Sequence, residues 1–378
     1  MLEAARLDKE RRKAEGKKWH PLAGTPAYHM YEDANYVGNR YLIAEVWRWL
    51  ATLDPAARHD ADLACRASIW PAEEGAAKRG PGYWPKPYGA LRGENAADKN
   101  YTETSVDQAY SPVIALWRYY QHLADEPAKQ KIGRLLQDHG HWWINHDYKY
   151  DYLGEIWEAI GARMSPSSLK IPIGMHIAYQ ITGDTLLRDE CLRLVRRAAK
   201  EGALRMHRGP RGEIKELYHL AEIYDYFMRE TELRDEADWE RLIKECWTAA
   251  KSSIQEDGLC LGMGDYKEDG TIEKYQPGHI DDVHHGYWKT DARHPGSTTQ
   301  IACLAMLIHE LGYDAGAGAV GKMLLENITA AYTGGSVYTT PAQRPPWFRD
   351  NPPAQLFATR VVAFWLDGYW RGKLLGIY

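Results

Sequence analysis

Apolar residues recur along this chain at helical spacing, and hardly any stretch alternates as a strand would. Residues 39–52, 111–124, 171–182, 215–230, 299–312 and 356–370 predict helices that are apolar or aromatic on most faces. Between them, residues 56–69, 127–146, 185–203, 237–255 and 315–332 predict helices with one charged face. A helix apolar all round must be buried, whereas a half-charged one lies outside. The pattern is therefore a succession of hairpins, each pairing an inner helix with an outer one. The joints agree with it: Gly183 can take positive φ after 171–182 and Asp184 can cap the helix that follows. Leu123 to Pro127 does the same job, with proline in the first helical turn. No strict sequence period links the units, which excludes a solenoid array, and no Pro/Gly/Ser linker divides them. The expected fold is all-α, an (α/α)6-type toroid of helical hairpins. It forms a single domain over residues 1–378, with residues 1–20 as a peripheral N-terminal helix.

Composition changes this picture in two ways. A net charge of −5 leaves no global basic field for nucleic acid, and no apolar run approaches a membrane span, so neither is an expected partner. The charged N-terminus lacks the apolar stretch of a signal peptide. The chain as written therefore reads as cytoplasmic, and as periplasmic or secreted if a leader has been removed. More telling are 15 Trp and 25 Tyr against only 4 Phe. Aromatics that only filled a core would favour Phe, which has no polar atom to satisfy. Amphipathic aromatics in this excess suit a cleft that stacks against sugars, so a carbohydrate is the expected partner.

In a toroid, the loops that enter the inner helices meet at one end, and here they carry the unusual residues. The loop before residue 111 contains Tyr101, Asp107, Gln108 and Tyr110. An acid just before an apolar helix can cap it; in aromatic surroundings it can instead hold a proton for donation. Asp107 is the foremost catalytic candidate, with Tyr101, Gln108 and Tyr110 beside it to hold a sugar hydroxyl or orient the carboxylate. The densest cluster, residues 279–294, holds Asp281, Asp282, His284, His285, Tyr287, Lys289, Arg293 and His294. For hydrolysis, Asp281 or Asp282 would be the second carboxylate. For β-elimination, His284, His285 or Tyr287 would take the C5 proton and a Tyr or His protonate the leaving oxygen, while Lys289 or Arg293 neutralised a uronate and His294 also met the substrate. Trp84, Lys86 and Tyr88 lie in a proline-stiffened segment that is either a sugar platform or a loop packed on the barrel. Trp347 and Arg349 in the sixth loop offer a similar clamp.

The stretch from Val106-Asp107-Gln108-Ala109-Tyr110 through Leu116-Trp117-Arg118-Tyr119-Tyr120, followed by a turn and a helix, resembles the unsaturated glucuronyl and rhamnogalacturonyl hydrolases. These belong to the six-hairpin glycosidases, which share their toroid with several polysaccharide lyases. The resemblance implies a catalytic acid/base at Asp107. Tyr179 to Asp184 is also similar in the next unit, but Ser165 to Lys170 stands where those hydrolases often carry a second Asp.

No metal and no cofactor are expected. The five cysteines are scattered without C-x-x-C spacing, and His284 and His285 are adjacent, so they rarely reach one ion. His139 and His141 fall on an outer helix, and His176, His219 and His309 read as helix residues that pack or hydrogen-bond. The expected function is a glycoside hydrolase acting on an anionic, uronic-acid-containing poly- or oligosaccharide by carboxylate acid/base catalysis. A polysaccharide lyase using Tyr, His and Arg is the first alternative, and a non-catalytic glycan-binding protein the second.

Overall fold

In the computed structural model the described residues are 34–85, 104–152, 155–204, 212–214, 216–267, 269–274, 295–333 and 358–378. They fold as helical hairpins. The inner helices are α1 (Ala34–Thr52), α3 (Val106–His122), α5 (Lys170–Thr182), α7 (Glu216–Arg229), α9 (Pro295–Glu310) and α11 (Ala358–Leu374). The outer ones are α2 (Pro55–Arg79), α4 (Glu126–Asn145), α6 (Thr185–Lys200), α8 (Trp239–Ser252) and α10 (Ala317–Thr333). Each inner helix packs on the next, and α11 packs back on α1, so the ring closes. The fold is an (α/α)6 toroid.

Burial separates the two sets as the periodicity requires. Every residue from Lys170 to Ala178 of α5 and from Leu217 to Phe227 of α7 is buried. On α6 only Leu187, Cys191, Leu194, Val195 and Ala198 are, a single stripe at helical spacing. The turns from inner to outer helix are short and capped as expected. Gly183 has φ +77° and its N–H donates to the Tyr179 carbonyl, and Asp184 accepts from Leu186 N at 3.1 Å. Asp125 caps α4 by accepting from Ala128 N at 3.0 Å.

The connections from outer to inner helix are long and hold all the described strands. β1 (Lys149–Tyr152) and β2 (Glu155–Glu158) form an antiparallel hairpin, with Tyr150 opposite Trp157. β3 (Gly212–Glu213), β4 (Met263–Tyr266) and β5 (Ile272–Lys274) form a second small sheet. These strands are too short to announce themselves by alternation, which is why the pattern of the chain hardly shows them.

The ring interior is not a plain apolar core. Arg40, fully buried, donates to both oxygens of Glu222 at 3.1 and 2.7 Å, and Tyr110 OH donates to the same carboxylate at 2.9 Å. Tyr218 OH and Trp47 Nε1 donate to Asp367 at 3.2 and 2.9 Å. Burial works to raise Glu222, but the guanidinium outweighs it and holds the carboxyl below its usual range. At Asp367, 3.8 Å from Arg40, burial prevails and the carboxyl is pushed up. This hub joins α1, α3, α7 and α11 inside the ring.

Candidate functional site at the mouth of the ring

Residues from the first turns of different inner helices touch one another, so the inner helices run parallel and their N-termini share one end of the ring. Tyr36 N donates to Gln108 Oε1 at 3.3 Å, joining α1 to α3. Gln300 Nε2 of α9 donates to Tyr36 OH at 3.1 Å, and Tyr36 OH lies 2.8 Å from His219 Nε2 of α7. The Gln300 amide already occupies the phenol as a donor, so the phenolic proton points to His219. Glu216 Oε1 lies 3.9 Å from the other ring nitrogen of His219.

The centre of this mouth is Lys170. Its ammonium donates to both Asp107 and Glu216. Burial works to discharge Lys170, which is 2% exposed, but the two carboxylates outweigh it and hold the amine above its usual range. The Asp107 side chain is 38% exposed, the Glu216 side chain 17%. Two hydrogen bonds to one nitrogen place their acceptor oxygens no more than about 5 Å apart. Tyr150 of β1 stands beside this group: burial raises its phenol, and the charge of Asp107 raises it further. The result is a continuous polar chain from Asp107 through Lys170, Glu216, His219 and Tyr36 to Gln300, drawn from α3, α5, α7, α1 and α9.

Four of the residues singled out for the site lie among the described ones, and one of them, Tyr110, is buried with its hydroxyl on Glu222 inside the ring. Asp107 is at the mouth, but it is not the helix cap. Ser105 is the N-cap and accepts from Gln108 N at 3.4 Å, while Asp107 sits within the first turn of α3. Its surroundings are also more polar than an aromatic pocket, because Lys170 faces it. Gln108 is buried and ties α3 to α1. Trp84 is 1% exposed, stands edge-on to His139 at 5.4 Å, and its carbonyl accepts from Thr104 Oγ1. Trp84 is thus packed on the wall of the ring and is not open to a sugar. Asp281, Asp282, His284, His285, Tyr287, Lys289, Arg293 and His294 lie outside the described residues, as do Lys86, Tyr88, Tyr101, Trp347, Arg349 and the N-terminal segment 1–20.

Lys170, Glu216, His219, Tyr36 and Gln300 are the residues that pattern reasoning missed. Lys170 did leave a signal. A lysine opening an otherwise apolar, buried helix sits at the positive end of the helix dipole, and it is tolerable there only with anionic partners. His219, expected to pack or hydrogen-bond, does hydrogen-bond, but to a group at the mouth.

The described residues that come close enough to share a metal ion, His176, Glu230 and Glu232, are at the far end of the ring. No described helix is long and apolar enough to cross a membrane.

The whole arrangement can be set beside known structures. A cellobiose 2-epimerase from Bacillus thermoamylovorans B4167 superposes with a TM-score of 0.52 over 88% of this chain and 86% of its own, at 11% identity. A cellobiose 2-epimerase from Spirochaeta thermophila DSM 6192 gives 0.50 over 90% and 86%, at 13% identity. A sugar epimerase from a ruminal bacterium gives 0.50 over 90% and 87%, also at 13%. The likeness is one of fold. No protein-family model matches the sequence, and no curated protein resembles it.

Proposed function

We propose that the protein is a carbohydrate-active enzyme that works at the mouth of its toroid, and that its reaction is glycoside hydrolysis. The observation that carries this reading is the pair of carboxylates, Asp107 and Glu216, held together by one buried ammonium. In retaining glycosidases one of two carboxyl groups about 5 to 5.5 Å apart is the nucleophile and the other the acid; here Lys170 holds both oxygens within about 5 Å, and the acid is a third group. Lys170 favours the ionised form of both, so Asp107, the more exposed, serves as nucleophile or base and not as the acid. The proton for the departing oxygen comes from Tyr36 once its hydroxyl turns from His219 to that oxygen, and the water that opens the glycosyl–enzyme ester returns a proton to the phenolate.

An anionic substrate is supported by the six helix N-termini that face this end of the ring, whose partial positive charges add there. Lys289 and Arg293 of the fifth loop are the side chains assigned to a uronate carboxylate, because Lys170 is already engaged by Asp107 and Glu216. Likeness of fold to sugar epimerases supports a carbohydrate substrate in general.

One observation favours a second reading. The Gln300–Tyr36–His219 relay could move a proton on and off a carbon beside a carbonyl, which is epimerisation. The test is a panel of uronate-containing and neutral oligosaccharides in deuterated water, followed by reducing ends, ultraviolet absorbance and proton NMR. Hydrolysis yields new reducing ends at constant absorbance, lost by at least a factor of about 1,000 in Asp107→Asn, as for removal of a catalytic group. Deuterium entering beside the carbonyl without new ends would replace hydrolysis by epimerisation. Rising absorbance would mean elimination, and saturable binding without turnover a glycan-binding protein.

A further inference from the structure

A second group of polar side chains lies at the opposite end of the ring, where the inner helices finish. His176 of α5 is fully buried. Its Nδ1 is 2.8 Å from the Tyr226 hydroxyl of α7, whereas its Nε2 has no hydrogen-bond partner. The carboxylate oxygen in front of that nitrogen, Glu232 Oε2, is 3.6 Å away, beyond hydrogen-bond range. Glu230 and Glu232 follow directly on the last turn of α7, and one oxygen of each lies with the imidazole nitrogen inside a 4.8 Å span. Among the described residues, neither glutamate pairs with a lysine or arginine. A buried imidazole nitrogen without a hydrogen bond thus faces two carboxylates that repel each other.

We propose that His176, Glu230 and Glu232 bind a divalent transition-metal ion, zinc foremost, which pins the middle of α5 to the turn after α7. One imidazole and two carboxylates are a three-ligand set that zinc completes with water, whereas calcium and magnesium prefer oxygen alone. Ligands about 2.0 to 2.1 Å from a tetrahedral ion stand about 3.3 Å apart, close to the 3.6 Å separation of His176 and Glu232. The outer partners fit as well. With Nδ1–H donated to Tyr226, the tautomer leaves its lone pair on Nε2, and Tyr179 OH donates to the other Glu232 oxygen at 3.2 Å.

The site is remote from the mouth, so its test is independent of any sugar chemistry. The full chain, stripped with a chelator, is titrated with zinc by calorimetry and heated with and without it. Other histidines of the chain also take zinc, so the reference is the double variant Glu230→Gln/Glu232→Gln, whose side chains are not in the deep core. The wild type should bind one zinc more than the variant, and only the wild type should gain thermal stability. Cobalt in place of zinc should give the visible band of a tetrahedral site in the wild type alone. Equal stoichiometry and equal thermal shifts in the two proteins would overturn the proposal. If the double variant loses its near-ultraviolet dichroism, Glu232→Gln alone decides: it should weaken zinc at least about tenfold, and an unchanged affinity would overturn the proposal.

Discussion

Replacing Lys170 by Met keeps most of the buried methylene volume and removes the charge that Asp107 and Glu216 share. Two unit charges about 5 Å apart repel by about 3 kcal/mol at an effective dielectric constant of about 20. The Asp107 side chain is 38% exposed, and solvent screening cuts this to about 1–2 kcal/mol. Loss of the buried pairing adds to it, since breaking a fully buried pair costs about 3–5 kcal/mol and this one is half open. The expected destabilisation is thus about 2–4 kcal/mol at about pH 7.5, read by urea unfolding with tryptophan fluorescence. The sign of its pH dependence is diagnostic. Without Lys170 one carboxyl of the pair has a folded-state pKa above its unfolded one, so the native state binds the extra proton. The penalty then grows as pH rises through that interval and shrinks by about 1 kcal/mol when the variant is taken to about pH 5. A variant within about 0.5 kcal/mol of wild type at both pH values would refute the bridged-carboxylate reading of the mouth.

Two further outcomes concern the wall of the ring. His139 donates from Nδ1 to the Gly82 carbonyl at 2.7 Å and accepts Trp143 Nε1–H at 3.1 Å on Nε2, so protonation would set N–H against N–H. Burial lowers its pKa to about 4; its contribution, about 3 kcal/mol, is complete above the unfolded value near 6.5 and lost as pH falls through 4. Imidazole NMR should show no protonation of His139 above about pH 5, and titration near 6.5 would contradict the tautomer. Gly82 has φ +84°, and a Cβ there would meet the Asp138 carbonyl oxygen at 2.0 Å and its carbon at 2.3 Å. Gly82→Ala should cost about 2–4 kcal/mol, read by thermal unfolding; an unshifted midpoint would mean the loop is not packed on α4.

What the sequence determined by itself is the part of the structure that repeats a local rule. Helices apolar on most faces, such as 171–182 and 215–230, had to be inner ones, and the caps at Asp125 and Asp184 marked where outer ones begin. A closed ring of hairpins follows from that alternation. Asp107 was legible too, because an acid before an aromatic-apolar helix is unusual enough to stand out. Its role was not. Whether a carboxylate holds or gives up its proton depends on what faces it, and Lys170 faces it from a helix 63 residues along the chain. Glu216, His219, Tyr36 and Gln300 come from three other helices, and each alone looks like an ordinary first-turn or packing residue. His176 read as a core histidine for the same reason: its neighbours Tyr226 and Glu232 lie more than 40 residues away. Local patterning decides which surface of a helix is buried. Only closure of the ring decides which charges meet inside it, and those meetings carry the chemistry.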